Sequence, residues 1–439
     1  MSSGLFLSYY GDDFTGSTDV MEALSAGGVE TVLFTSIPDP SRLERFSAFK
    51  AIGLAGTSRS QSPEWMSEAM PASFSWLRDL GACFCHYKVC STFDSAPDKG
   101  SIGRALELGL TVFGQERTAI VVGAPQLRRY TFFGNLFAAY QDKIYRIDRH
   151  PVMSRHPATP MNEADLVMHL EKQTSLPMAS VSPEDLPGLA DRLATGESQP
   201  SNVSLMLDVF DHASQQAVGK FLNANASRLG PFVIGSSGIE YALLHAWKRS
   251  GKILSRPSFQ PLEAHSRIAV VSGSCSPTTG RQIDHALQRG FKGVQVDYAS
   301  LVSGVGLQEE YERVLTLGSA ILSEGSSPLL YTAKGAQGTE TETMPGDQDR
   351  VGRTLGRLLA KLQQLHDLKR VVVAGGDTSS HALSELGIYA LTLRYPLAAT
   401  PGSPVCHGHL ENGHNIEIAL KGGQIGDDTY FSSLRDGSV

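Results

Sequence analysis

Short runs rich in Val, Ile, Leu and Phe alternate along this chain with longer segments of helical period. A strand buried on both faces reads as a continuous apolar run, and a parallel neighbour needs a long crossover, so the rhythm predicts parallel sheets covered by helices. In the first half, strands are expected at Leu5–Tyr10, Thr31–Thr35, Ala48–Ala55, Cys83–Val89, Thr118–Val122 and Val203–Val209. Helices are expected at Thr15–Ala26, Pro63–Leu80 and Ile102–Val112. A second alternating series opens near Arg267 with RIAVVSG and continues through GVQVD, PLLYTA and RVVVAGGDTSS. Between the two series, Ser250–His265 has two Pro and little periodicity, which reads as a linker. The expectation is an α/β protein of two domains, residues 1–250 and 265–439, each with a mainly parallel sheet covered by helices. Over residues 126–160 the rhythm breaks into a stretch rich in Tyr, Phe, Arg, His and Pro, read as irregular structure or an inserted lobe.

Composition narrows the function classes. The 439 residues carry 38 Lys+Arg against 45 Asp+Glu, a formal charge of −7, and no run of five basic residues occurs. Polyanion binders show a basic stripe, so no nucleic-acid partner is expected. No stretch approaches the roughly 20 apolar residues that span a bilayer, and the N-terminus lacks the basic region of a signal peptide. Five Cys without framework spacing fit a reducing compartment. A cytoplasmic protein with no membrane partner is expected, with a homo-oligomer left open.

Ligands of open α/β sheets bind beyond the carboxyl ends of strands, so the strand-to-loop junctions are where chemistry is sought. In YYGDDFTGSTD, two adjacent carboxylates, Asp12 and Asp13, precede a helix. One can be an N-cap; the second still needs a role, and paired carboxylates suit hydroxyl groups as hydrogen-bond acceptors, general base or Mg²⁺ ligand. Arg59, after the third expected strand, can grip a carboxylate or phosphate, or simply be a solvated surface residue. In CHYKVCSTFDS, Lys88 near a strand end can supply positive charge, and Ser91, Thr92 and Asp94 follow it. The neighbouring Cys83, Cys85 and His86 lack standard metal spacing and read as structural. Arg59 and Lys88 together predict a locally positive pocket.

Three junctions of the second series, VVSGSCSPTT, VVVAGGDTSS and LKGGQIGDD, join apolar runs to Gly, Ser and Thr. Backbone amides and hydroxyls at such turns make a phosphate site without any lysine. Neither the Walker fingerprint nor G-x-G-x-x-G occurs. His407, His409 and His414 fall in what reads as a loop between strands, with a solvated or hydrogen-bonding role preferred to metal binding. His150 and His156 sit in the irregular stretch.

Taken together, these stretches resemble the four-carbon acid sugar kinase family. SRS at Ser58–Ser60, YKVCSTFDS, GAPQLRRYTFFGNLF, HPATPMNEADL and LAATPGSPV add to the junctions above, in family order from residue 9 to 428. The resemblance implies an ATP-dependent kinase, with Mg²⁺ on the nucleotide, a sugar-acid-binding N-terminal domain, a nucleotide-binding C-terminal domain and an active site in the cleft between them. It implies substrates such as threonate, erythronate or 3-oxo-tetronate, phosphorylated at the terminal hydroxyl. By position, Asp12, Asp13, Arg59 and Lys88 match the acid side, with Asp12, Asp13 and Lys88 in catalytic roles. Ser274, Ser276, Gly375, Gly376, Asp377, Thr378, Gly422 and Gly423 match the nucleotide side; no residue is assigned to a metal. The last motif, Lys421-Gly422-Gly423-Gln424-Ile425-Gly426, departs from the family's usual K-S-G-x-F-G. Two rival readings are a nicotinamide-dependent hydroxy-acid oxidoreductase, which lacks its fingerprint here, and a non-catalytic sugar-acid-binding protein, which leaves the second domain's glycines without a purpose.

Overall fold

The computed structural model describes residues 4–195, 202–253, 257–334, 347–423 and 425–439, the side chains of Ala194, Asp347, Gln348 and Asp377 apart. The chain divides into two compact units, one of residues 1–32 and 39–257, the other of residues 33–38 and 258–439.

In the first unit seven parallel strands lie in the spatial order Ala51–Ala55, Leu7–Gly11, Phe84–Lys88, Phe232–Gly235, Ala119–Val121, Ser204–Leu207 and Met178–Val181. The central strands are buried along their whole length, which is why they read as unbroken apolar runs. Helices Phe14–Gly27, Pro63–Asp79 and Ile102–Phe113 start on side-chain caps from Asp13, Ser62 and Ser101.

Of the two readings of the 126–160 stretch, irregular structure gives way to the inserted lobe. It contains an antiparallel sheet of Arg129–Phe132, Asn135–Tyr140 and Lys143–Arg146, followed by short 3₁₀ turns. Its first turn places Phe133 and Gly134 at φ 47° and 74°, the pair of positive angles a two-residue hairpin needs. Phe133 stands where Asn or Asp would have announced that turn. The Gly134 amide is held instead by the buried Asp208 carboxylate, 3.1 Å away.

In the second unit the strand order is Phe291–Gln295, Ser327–Tyr331, Ala269–Ser272, Arg370–Ala374, Asn415–Lys421, Val405–Leu410 and Ile388–Tyr395. The first five are parallel and the last two antiparallel to their neighbours. Its core gathers Ile268, Val270, Ile283, Phe291, Val372 and Phe431. The His-rich segment is mostly strand rather than loop: His407 and His409 lie in Val405–Leu410, and His409 Nε2 is 2.9 Å from Thr392 Oγ1. The expected linker is also shorter than Ser250–His265. Leu262 is buried in the second unit's core, and the carbonyls of Gln260 and Pro261 accept from Arg394; residues 254–256 lie outside the described residues.

Candidate active site

In the first unit, strand register assembles the site. Gly11 stands opposite Ala55 on one side and Lys88 on the other, so the three strands end in one row. The chain leaving that row is tied together: the Asp12 amide donates to the Lys88 carbonyl at 2.9 Å, and the Arg59 amide to the Asp12 carbonyl at 3.0 Å. The four acid-side residues expected from sequence therefore meet at the carboxyl edge of the sheet.

The two adjacent carboxylates have different work. Asp13 caps the Phe14–Gly27 helix, Oδ1 accepting from the Gly16 amide at 2.5 Å, while Oδ2 accepts from Arg59 Nη1 at 3.0 Å. Asp12 is 4% exposed, and its Oδ1 is buried with no hydrogen-bond partner among the described residues. Burial, helped by the adjacent Asp13 charge and opposed by Arg59 and Lys88, pushes its carboxyl up to about 7. That is the range in which a carboxylate serves as a general base near neutral pH.

Both cations are engaged. Arg59 Nη2 reaches Asp94, whose oxygens also accept from Thr92 Oγ1 at 2.6 Å and Thr159 Oγ1 at 3.0 Å. Burial acts to raise the Asp94 carboxyl, but Arg59 and the Thr92 hydroxyl hold it below its usual range. Lys88 Nζ sits 3.7 Å from Asp19 Oδ2 in a buried setting. Desolvation opposes its charge, and the Asp19 and Asp12 carboxylates more than compensate, so its proton is held tightly. The pocket is thus not the positive one expected: among the described residues, Arg59 and Lys88 face Asp12, Asp13, Asp19 and Asp94. Gly16 makes the packing possible, since a Cβ there would lie 2.7 Å from Asp13 Oδ1 and 3.0 Å from Lys88 Nζ. His86, on the opposite strand face from Tyr87, is held between Glu240 Oε1 at 2.6 Å and the Gly235 carbonyl at 3.0 Å.

In the second unit the same principle brings the glycine junctions together. Ser272 pairs with Ala374, and Ala374 with Lys421, so three strands again end in one row. The Gly273 amide donates to the Ala374 carbonyl at 3.1 Å and the Gly375 amide to the Lys421 carbonyl at 2.9 Å. Ser276 caps the Pro277–Gln288 helix, its Oγ accepting from the Thr278 amide at 3.2 Å, and Ser274 Oγ accepts from the Ser276 amide at 3.3 Å. The Gly376–Glu385 helix has no side-chain cap and starts from Gly375 at φ 125°, leaving its first amides available to an anion. A Cβ on Gly375 would meet Thr378 Oγ1 at 3.0 Å, and one on Gly423 would meet Ser274 Oγ at 2.9 Å. Ser274, Ser276, Gly375, Thr378 and Gly423 therefore converge, with Gly376 and Gly422 beside them in the chain. The Asp377 side chain and Gln424 lie outside the described residues.

One expectation fails here: the cradle is not free of lysine. Lys421 is buried behind it, Nζ donating to Thr279 Oγ1 at 2.9 Å. Other residues sequence reasoning did not assign are Asp19, Asp94, Thr159 and Thr279. Asp19 could have been found from its spacing, three residues beyond Gly16 on one helix face. Thr159 lies 65 positions from the carboxylate it serves, inside the HPATPMNEADL stretch that carries the family resemblance without an assigned role.

Comparison with known proteins accords with this division. A family model described as a sugar-binding N-terminal domain matches residues 7–243, and one described as a nucleotide-binding C-terminal domain matches residues 269–431. The chain is 40% identical to a 3-oxo-isoapionate kinase of Paraburkholderia graminis, over 100% of this chain and 95% of that protein. It is 28% identical to a 3-oxo-tetronate kinase of Pectobacterium atrosepticum, over 96% of each. A solved structure from Salmonella typhimurium LT2 superposes with a TM-score of 0.77 at 26% identity, covering 99% of this chain and 100% of that one. A sugar-binding region followed by a nucleotide-binding region, each built of mainly parallel strands and helices, defines a two-domain sugar kinase. The chain belongs to the four-carbon acid sugar kinase family and is a sugar-acid kinase. The oxidoreductase and non-catalytic readings are set aside accordingly.

Proposed function

We propose that this kinase transfers the γ-phosphoryl group of ATP to the terminal hydroxyl of a short 3-oxo sugar acid, with 3-oxo-isoapionate first among the candidates and 3-oxo-tetronates next. Both named relatives act on 3-oxo acids by their names, and the more similar one, at 40% against 28% identity, is the isoapionate kinase. The observation that carries the mechanism is Asp12, a buried carboxyl with an unpartnered oxygen and a proton affinity raised to about 7.

In this reading Asp12 takes the proton of the acceptor hydroxyl while the oxygen–phosphorus bond forms and the bond to ADP breaks. Lys88 offsets charge on the transferred group. Arg59 receives the acid's carboxylate with N–H donors left over from Asp13 and Asp94. Asp13 fixes both the helix start and Arg59. Ser274, Ser276, Gly375, Gly376, Asp377, Thr378, Gly422 and Gly423 hold the nucleotide phosphates. Mg²⁺ bound to ATP supplies charge neutralisation; among the described residues no three His, Cys, Asp or Glu side chains form a metal cluster, and none is assigned to it.

A coupled ADP-release screen over 3-oxo-isoapionate, 3-oxo-tetronates, threonates and erythronates tests this. The 3-oxo acids should exceed the plain acids by about tenfold or more in kcat/KM. Equal turnover of all four classes removes the 3-oxo assignment, and turnover of none removes the acceptor class.

A further inference from the structure

The second unit holds a buried cation that the reaction above leaves unused. Lys421 ends the Asn415–Lys421 strand at 0% exposure. An ammonium is costly to bury unless an anion pairs with it, yet the partner of Nζ is the neutral Thr279 hydroxyl.

Among the described residues, the surrounding elements leave that charge uncompensated. The Pro277–Gln288 helix presents Thr279, and the Tyr430–Asp436 helix presents the Tyr430 ring at 6.0 Å. The Arg370–Ala374 strand places Ala374 opposite Lys421, and the Val405–Leu410 strand stops opposite Ala419. The Gly376–Glu385 helix also packs on the Asn415–Lys421 strand, with its Asp377 side chain outside the described residues. Of the groups named only the Tyr430 phenol is titratable, and no carboxylate among the described residues pairs with Lys421. Burial accordingly pushes its ammonium down to about 7. Thr279 in turn touches the cradle: its Oγ1 is 3.1 Å from Ser274 Oγ and 3.0 Å from the Gly423 carbonyl. Accepting from Lys421 turns the single Thr279 hydroxyl hydrogen toward one of these two.

We propose that Lys421 is a positioning residue for the nucleotide phosphates, acting through Thr279 on the Ser274–Gly423 junction and taking up a solvent proton when the phosphates bind. The inference rests on the nucleotide-binding reading of the second unit. Bound phosphate provides the counter-charge the buried amine lacks, so the proton and the nucleotide strengthen each other's binding equally. The proton comes from water or buffer to the Nζ lone pair, and no covalent bond to the ligand forms.

Calorimetric titration of the full chain with MgADP at about pH 8, in buffers of different ionisation enthalpy, reads the proton directly. The wild type should take up a fraction of a proton per nucleotide, and its affinity should fall between about pH 7 and pH 9, by at most about tenfold per pH unit. Lys421→Arg, charged throughout, should bind without that uptake. Lys421→Met should bind about tenfold or more weakly, with no uptake beyond the nucleotide's own. Wild-type uptake indistinguishable from the nucleotide's own ionisation, or a wild-type affinity flat across that pH range, overturns the proposal even if no variant folds. Absence of any MgADP binding by the wild type overturns the nucleotide-binding reading, and the role of Lys421 falls with it.

Discussion

Arg59 Nη2 lies 3.0 and 2.9 Å from the two carboxylate oxygens of Asp94, a side chain with no solvent exposure. A second carboxylate, Asp13, takes Nη1, so the guanidinium is aimed from both sides before any substrate arrives. Asp94→Asn removes the charge that steadies this aim and keeps the shape. KM for the sugar acid should rise about tenfold, equivalent to about 1.4 kcal/mol, with KM for ATP unchanged. An unaltered KM for the acid in steady-state kinetics would detach Arg59 from substrate binding.

Asp12→Asn should lower kcat by about 10² to 10⁴ while MgADP binding stays intact, because a general base is lost and no nucleotide contact is touched. In the wild type kcat/KM should climb as pH rises through about 7, where Asp12 ionises. The same group sets a stability trend. Its folded proton affinity, about 7, stands above the ordinary 3.8, so its contribution is full below about pH 4 and is lost as pH rises through 7. Asp12→Asn should therefore raise Tm more at about pH 8 than at about pH 5. Scanning calorimetry at the two values checks the sign.

Lys88→Met leaves the Asp19 carboxylate, already pushed up by burial, without its cation. Tm should fall, as it does when one partner of a buried pair is removed. The double variant Lys88→Met with Asp19→Asn should recover most of that Tm without recovering kcat. Recovery of both in parallel would make Lys88 purely structural.

Gly16→Ala sets chain entropy against the site. Alanine restricts the unfolded chain more than glycine and so favours this first-turn position by about 0.4–1 kcal/mol, but its Cβ would crowd Asp13 Oδ1 and Lys88 Nζ at 2.7 and 3.0 Å. Activity should drop about tenfold or more with little change in Tm. Full activity in this variant would show that the Asp13–Lys88 spacing is not critical.

The motif positions were legible in the sequence because each junction couples an apolar run to turn chemistry within a few residues. Asp12 and Asp13 after Leu7–Gly11, SRS after Ala51–Ala55, and the glycines after Ser272, Ala374 and Lys421 are local patterns. The hairpin at 129–146 was missed for the opposite reason, because its turn rests on Phe133 and a distant Asp208 rather than on a local turn residue. The histidines of 407–409 misled because half-buried side chains of this antiparallel strand can be polar, which leaves no continuous apolar run to mark it.

By itself the sequence determined the α/β class, the order of the two units and which strand ends carry reactive groups, since backbone periodicity and turn chemistry act over short range. Only the tertiary structure decided how those groups divide their work. Asp12 and Asp13 are neighbours of identical chemistry; burial, against the pull of Arg59 and Lys88, makes one a raised acid whose Oδ1 has no hydrogen-bond partner among the described residues, and the other is a cap and ion-pair partner. Lys421 likewise became a buried cation with no anion beside it among the described residues only when three parallel strands brought Thr279, Ser274 and Gly423 around it. Desolvation and pairing depend on what packs nearby in space, and no local stretch of residues records that.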